Sequence, residues 1–180
     1  MVIEMATFYD EIYKLKNVLR KGWQFYGVTS EHDRYESDAE HTFSMAMLAL
    51  EIMGKEKLDL NQEKVLKMIL VHELGEIDFG DSIHIFDYTK DADKRRKEKH
   101  DAEMNCVKRL AENYHLSSIL DLWEEFEKKE SKEAIFVKEL DRFDSIKQAK
   151  LYSEEYNRPE IYEDFYTNNK EIADKYKKYL

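Results

Sequence analysis

Two of the six histidines in the chain stand in sequence surroundings that indicate a metal site. His41 falls in the first turn of a strongly apolar helical segment, and His72 follows the apolar run 68–71. A solvated imidazole has no obvious place in either segment, although a histidine taken singly is more often a surface or hydrogen-bonded residue. Glu73 and Glu76 lie within four residues after His72. Imidazole and carboxylate ligands together suit Mn, Fe, Co, Ni or Zn, so the pattern predicts a site for such an ion.

The spacing of these acids decides which of them reach the same ion. His72 and Glu76 are four residues apart and so share one face of a helix. Neighbours such as His72 and Glu73 point about 100° apart, so they converge only on an ion that lies close against the helix. A further oxygen ligand must come from elsewhere in the chain. Asp141 is the candidate, because it follows the apolar helical run 135–140, where an isolated acid needs a partner.

Helical periodicity runs through nearly the whole chain and predicts an all-α fold. Apolar residues at 8, 12, 15 and 19 share one face of a first helix, which Gly22 should end. Ser37 and Glu40 have the spacing of a capping box, and they predict a helix over 42–53 with Gly54 as its C-cap.

The remaining helices and one loop follow from the same pattern. Helices are expected from Asn61, over 91–113, from Ser117, over 131–154 and after Pro159, whereas 76–90 is expected to be an irregular loop. Together they predict one compact helical-bundle domain over 1–180. Its metal core would cover about 15–165, and its last helix 161–180.

Composition excludes several classes of function. The 180 residues are 42% hydrophobic with only 5 Gly and 1 Pro, which favours long helices over a many-stranded sheet. A formal net charge of −10 argues against a nucleic-acid polymer as partner, because such binding relies on basic side chains. No apolar run approaches the ~18 residues that span a bilayer, so no membrane partner is expected. Cys106 is the single cysteine, and no signal-peptide pattern precedes it, so we expect a cytoplasmic protein.

Four short motifs carry a resemblance to a known family. Residues 36–41 read ESDAEH and resemble ESVAEH, and residues 70–76 read LVHELGE and resemble LVHDLAE. Gly80-Asp81 matches a following GD, and residues 20–23 are similar to R-x-G-W. The set resembles the HD-domain superfamily of metal-dependent phosphohydrolases, in particular its 5′-deoxynucleotidase branch. The resemblance extends from about residue 15 to residue 165.

The resemblance implies a helical fold, one divalent metal ion and hydrolysis of deoxyribonucleoside 5′-monophosphates. The ion could be Mn, Co, Fe, Ni, Zn or Mg, and a homodimer is expected by analogy, with the aromatic segment around 162–166 as a contributor. The resemblance, in which the order His41, His72-Glu73 and Asp141 is similar to the family's metal set H…HD…D, also assigns roles to residues of this chain. The metal set is His41, His72, Glu73 and Asp141, the acids near the scissile phosphate are Glu76 and Asp81, and the nucleotide contacts are Arg20 and Trp23.

Glu73 departs from the family pattern, which has aspartate at this position. Glutamate keeps the charge and the oxygen ligand but moves the carboxylate by about 1.5 Å, the length of one carbon–carbon bond. The metal could bind after a backbone adjustment, bind with altered affinity or preference, or be lost. We favour retained binding.

Rival functions remain open from the sequence. An alarmone hydrolase would have an acid after Glu76, where this chain has Ile77. A di-iron oxygenase of HD type would need a further pair of histidines at suitable spacing. A cyclic-nucleotide phosphodiesterase is harder to exclude. Outside catalysis, the chain could be a metal- or nucleotide-binding module whose hydrolysis is lost or altered, with Glu73 as the cause.

Overall fold

The computed structural model describes residues 6–28, 34–81 and 91–180. Within these ranges the chain forms helices and no β-strand, which confirms the all-α prediction. Of the loop expected over 76–90, residues 82–90 lie outside the described ranges. The α-helices are α1 (Phe8–Leu15), α2 (Gly22–Phe25), α3 (Asp38–Lys55), α4 (Gln62–Val71), α5 (Ala92–Tyr114), α6 (Ser117–Lys128), α7 (Lys132–Glu155), α8 (Pro159–Asn168) and α9 (Lys170–Lys175), and 3₁₀ turns cover Leu74–Ile77 and Lys177–Tyr179.

The chain divides into two compact units, so the single domain over 1–180 stays a prediction. The first unit comprises residues 1–42 and 70–124, and the second comprises 43–69 and 125–180. In the second unit α7 packs against α8 and α9. Within the described ranges, no helix combines the length and apolar character needed to cross a bilayer. The core of the first unit is formed by Leu15, Val71, Leu74, Ile77, Cys106, Val107, Leu110 and Trp123.

The end of the first helix differs from the prediction. α1 ends at Leu15, and Gly22 begins α2 instead of ending α1. The backbone N–H groups of Lys16 and Asn17 donate to carbonyls three residues back, and this tight turn releases the chain from the α-helical pattern. Leu19 then pairs with residue 37 in an isolated antiparallel bridge rather than extending the apolar face of α1.

That bridge brings the segment after α1 to the start of α3. The N–H of Arg20 donates to the carbonyl of Glu36 over 3.0 Å, and the N–H of Asp38 donates to the carbonyl of Val18 over 2.9 Å. Arg20 and Asp38 therefore sit side by side, with His41 one helical turn further along α3.

The predicted capping box at the start of α3 is confirmed, but its predicted C-cap is wrong. Ser37 N–H donates to Glu40 Oε2 over 2.8 Å, and Glu40 N–H donates to Ser37 Oγ over 3.3 Å. Gly54 lies inside α3, because the N–H of Glu56 still donates to the carbonyl of Ile52 over 2.7 Å. The helical hydrogen bonding thus passes Gly54 without the left-handed turn that a C-cap glycine provides.

A glycine sets the distance between the 3₁₀ turn Leu74–Ile77 and α5. A Cβ atom on Gly75 would lie 2.5 Å from Cβ and 3.0 Å from Cα of Glu103, closer than carbon atoms approach. The Cys106 thiol donates to the carbonyl of Leu74 over 3.4 Å across the same contact. Only a residue without a side chain fits here, and the close approach places Glu76 directly beside α5.

Candidate active site

The first unit brings together three of the four predicted metal ligands. His41 and His72 are buried, and His41 is 0% exposed. The Nε2 atoms of His41 and His72 lie 3.7 Å and 3.4 Å from Oε1 of Glu73, and the ring centroids are 5.5 Å apart. All three residues offer a ligand atom within 4.8 Å of the others. These are three of the four donors that the sequence predicted for a transition-metal ion.

The backbone explains how adjacent residues can face one point. α4 ends at Val71, so His72 lies beyond it, and Glu73 precedes the 3₁₀ turn with φ −96° and ψ 4°. The prediction that His72 and Glu76 share one helical face is therefore wrong, because no helix continues through them. The non-helical backbone at His72 and Glu73 allows the two adjacent side chains to approach each other, which a regular helix would not.

Asp141, the fourth predicted ligand, lies in the second unit. It stands in the middle of α7, between the fully buried Leu140 and Phe143, and is half-buried itself. Its role as a metal ligand stays a prediction.

A second group of carboxylates shares Glu73 with the histidines. Asp38, Glu73 and Glu76 each offer an oxygen within 4.8 Å of the others. Asp38 is 0% exposed, and neither of its carboxylate oxygens accepts a hydrogen bond from any described residue. Burial and the carboxylates of Glu73 and Glu76 raise the pKa of Asp38 to about 9, against a smaller opposing effect of Arg20.

Sequence reasoning missed Asp38, although a signal was present. It stands where the motif ESVAEH has valine, so a carboxylate replaces an apolar side chain one turn before His41. A charged group in an otherwise apolar position of a motif is costly unless something binds it.

Within the described ranges, Arg20 and Lys99 are cations that face this acidic cluster. Arg20 Nη1 lies 2.8 Å from Glu73 Oε1 and 3.7 Å from Asp38 Oδ1, and its Nε lies 3.5 Å from Glu36 Oε1. The second cation is Lys99 on α5, whose Nζ is 2.5 Å from Glu76 Oε1. Lys99 had no predicted role.

The other predicted site residues lie around these cations. Asp81 Oδ1 is 3.7 Å from the Lys99 ammonium. Trp23 is 2% exposed, and its indole N–H donates to Glu36 Oε1 over 3.0 Å. Glu36 thus connects Trp23 to Arg20, and sequence reasoning missed this link as well.

The charge balance of the cluster fits a divalent cation. Among the described residues six acids contact the two cations Arg20 and Lys99, and both the Asp38 oxygens and Oε2 of Glu76 are buried without a hydrogen bond. Burying carboxylate oxygens that accept no hydrogen bond is costly, so a group that supplies positive charge would stabilise the arrangement. Two imidazoles and a carboxylate are suitable ligands for that ion. The acids are Glu36, Asp38, Glu73, Glu76, Asp81 and Glu103.

We expect Asp38→Asn to stabilise the metal-free protein, and to do so more at high pH. The folded pKa of about 9 lies above the unfolded value of about 3.9, so folding retains a proton that is lost as the pH rises. Stability therefore falls as the pH rises from 4 to 9, and asparagine removes this dependence. Thermal unfolding in excess chelator should show a Tm higher by about 3–6 °C at pH 8, with a much smaller difference at pH 5.

The exposed Asp101 of α5 is the matched control for this measurement. Asp101→Asn should leave the Tm unchanged at both pH values. A Tm difference for Asp38→Asn that is equal at pH 5 and pH 8 would contradict the prediction, since it would not come from ionisation.

Comparison with known proteins identifies the family of this chain. The sequence matches the HD domain family over residues 12–179. A relative in Xenopus laevis, the 5′-deoxynucleotidase HDDC2, is 35% identical over 164 residues, which cover 91% of this chain and 77% of the relative. The HDDC2 of Homo sapiens is 33% identical, with 90% and 74% covered.

A solved structure shows the same fold. A conserved hypothetical protein from Pyrococcus furiosus superposes with a TM-score of 0.69 at 26% identity, covering 93% of this chain and 98% of the other. The family predicted from four short motifs is therefore confirmed by matches over most of the chain. On this evidence the chain belongs to the HD domain family.

Proposed function

We propose that the protein is a metal-dependent 5′-deoxynucleotidase, which hydrolyses deoxyribonucleoside 5′-monophosphates to deoxynucleosides and phosphate. The observation that carries the proposal is the group of the buried His41 and His72 with the half-buried Glu73, which Glu73 links to the carboxylates of Asp38 and Glu76. Two imidazoles and a carboxylate that also belongs to a neighbouring group of carboxylates supply the ligand types that metal-assisted phosphoester hydrolysis requires. The relatives named 5′-deoxynucleotidase support the choice of substrate.

His41, His72 and Glu73 would hold the divalent ion, and we propose Asp141 as the fourth ligand. When bound, such an ion lowers the pKa of water and polarises a phosphoryl oxygen. Glutamate at position 73 supports retained binding, because its carboxylate oxygen lies within 3.7 Å of both imidazoles despite the extra methylene. Mn, Co, Fe, Ni, Zn and Mg are the candidate ions.

Glu76 is the proposed proton donor to the departing sugar 5′-oxygen. Burial and the nearby Glu73 carboxylate raise the pKa of Glu76 to about 8, although Lys99 opposes part of this effect. A carboxyl group with this pKa retains a proton near neutral pH, and a general acid needs that property. We propose that Asp81, held near the same ammonium group, helps to orient the phosphate or the attacking water.

Arg20 and Trp23 are the proposed nucleotide contacts. The guanidinium of Arg20 has a forked set of donors that suits a phosphate group. Trp23 would bound the deoxyribose and leave a 2′-hydroxyl without room or partner, which would favour deoxynucleotides. The hydrogen bond from Trp23 to Glu36, which also lies 3.5 Å from Arg20, supports a joint role in placing the nucleotide.

Two further proposals concern the whole molecule. The lone, buried Cys106 fits a reducing compartment, and we propose the cytoplasm. A homodimer stays a prediction by analogy with the family.

Phosphate release from a panel of nucleotides tests the function. We expect turnover of dAMP, dGMP, dTMP and dCMP with added Mn, Co, Mg or Zn, and at least tenfold weaker turnover of the matching ribonucleotides, since one missing or misplaced polar contact discriminates by that order. Turnover confined to an alarmone or a cyclic dinucleotide would show that the protein is a phosphohydrolase of a different substrate class. Nucleotide binding without any turnover would indicate a binding module that has lost hydrolysis.

A further inference from the structure

Lys99 of α5 makes contacts that link three acids of the first unit. Its Nζ lies 2.5 Å from Glu76 Oε1, 3.3 Å from Glu103 Oε1 and 3.7 Å from Asp81 Oδ1. The side chain is 22% exposed, so these contacts are largely shielded from water. Burial alone would lower the pKa of Lys99, but Glu76 and Glu103 outweigh it and raise the pKa, so the ammonium group stays charged.

The contact with Glu76 involves only one of its two carboxylate oxygens. Oε1 accepts a hydrogen bond from Lys99, whereas Oε2 is buried and accepts none from the described residues. The backbone of Glu76 is also held on both sides, since its N–H donates to the carbonyl of Glu73 over 3.0 Å and its carbonyl accepts from Gly80 over 2.7 Å. With the backbone and Oε1 fixed, the direction of Oε2 is determined as well.

The packing of α5 explains why Lys99 can reach Glu76. Gly75 allows the 3₁₀ turn to lie against Glu103, one turn along α5 from Lys99. Glu103 in turn holds the Lys99 ammonium from its own helix. Gly75, Glu103 and Lys99 thus form one packed arrangement that ends at the Glu76 carboxylate.

We propose that Lys99 is a positioning residue for Glu76, which holds Oε1 so that Oε2 is presented to the reacting phosphate ester. This role rests on the function proposed above and extends it to a residue on α5. Lys99 would act through Glu76 and not on the substrate. Its loss should therefore slow turnover without weakening the binding of nucleotide or metal.

Lys99→Met, which keeps the length of the side chain and removes the charge, tests the proposal. With dAMP as substrate we expect kcat to fall about 30–100-fold, with KM within about threefold of wild type, because a carboxyl misplaced by about 1 Å costs this much. Lys99→Arg keeps a cationic donor and should stay within about fivefold of the wild-type kcat. Lys94→Met is the matched control, since Lys94 is an exposed lysine of the same helix.

A double-mutant cycle with Glu76→Gln separates positioning from direct action. If Lys99 acts only through Glu76, Lys99→Met should reduce kcat by less than about threefold in the Glu76→Gln background. Elemental analysis and circular dichroism should show wild-type metal content and helicity. Lys99→Gln serves for the same comparison if Lys99→Met melts below the assay temperature.

Several outcomes would overturn the proposal. A wild-type kcat for Lys99→Met would do so, and so would a KM raised tenfold at unchanged kcat, which would assign Lys99 to the phosphate itself. An equal loss of kcat in the Glu76→Gln background would show action independent of Glu76. Wild-type protein that hydrolyses no nucleotide would overturn the proposed function as well, whereas active wild type with an unaffected Lys99→Met would overturn this inference alone.

Discussion

His72→Ala is expected to abolish phosphate release, to less than about one-thousandth of the wild-type rate, together with divalent-metal binding. The reason is that His72 is one of only two imidazoles in the buried ligand group, and alanine offers no ligand atom in its place. Glu73 and His41 would then remain as a weaker set. Elemental analysis after reloading with Mn should fall from about one ion per chain to well below that, and added Mn should no longer raise the Tm.

A second histidine provides the control for this prediction. His115 is exposed and has a left-handed backbone conformation, with φ 55°, that asparagine also tolerates. His115→Asn should keep both metal and turnover. Full activity and full metal content in His72→Ala would show that the ion, and with it the proposed chemistry, does not depend on this cluster.

Glu76→Gln is expected to lower kcat by about 10²–10⁴-fold, the usual loss for a general acid or base, while metal binding and KM stay close to wild type. Glutamine keeps the size of the side chain, and its amide oxygen can still accept from Lys99, but it has no acidic proton to donate. The pH dependence of kcat should also lose the descending limb near pH 8 that follows from the raised pKa of Glu76. Steady-state kinetics from pH 6 to 9 measures both effects.

The matched control is Glu98→Gln, which removes an exposed carboxylate of α5 that pairs only loosely with Lys94, at 3.8 Å. It should leave kcat and its pH dependence unchanged. Should Glu76→Gln retain the wild-type kcat and the same descending limb, another group would have to protonate the leaving oxygen. Loss of the metal in this variant would instead make Glu76 a ligand.

Much of the fold was predictable because helices depend on local sequence. The capping pair at the start of α3 and the apolar spacing in α6 and α7 concern residues within one or two turns of each other, and these elements formed as expected. The errors at Gly22 and Gly54 arose where a glycine could either end a helix or be tolerated. In both cases the backbone hydrogen bonds of neighbouring residues determined where the helix ended.

The candidate site was predictable only where a motif carried it. His41 and His72 were found because an imidazole in an apolar run needs a reason, and Glu73 because it follows His72. Asp38 was missed although it lies within a motif. Its significance depends on the fact that neither oxygen accepts a hydrogen bond from the described part of the chain, a property of the folded protein that no spacing reveals.

By itself, therefore, the sequence determined the helical class, the family and the chemical types of the candidate ligands, since periodicity and short motifs are local. Tertiary structure alone decided that Lys99 holds Glu76 and that Arg20 lies between Asp38 and Glu73. Lys99 is 23 residues from Glu76, and Arg20 is 53 residues from Glu73. Contacts at such separations depend on how closely helices and turns pack. Gly75 is an example, because only a glycine at this position allows the turn to approach Glu103 of α5 so closely.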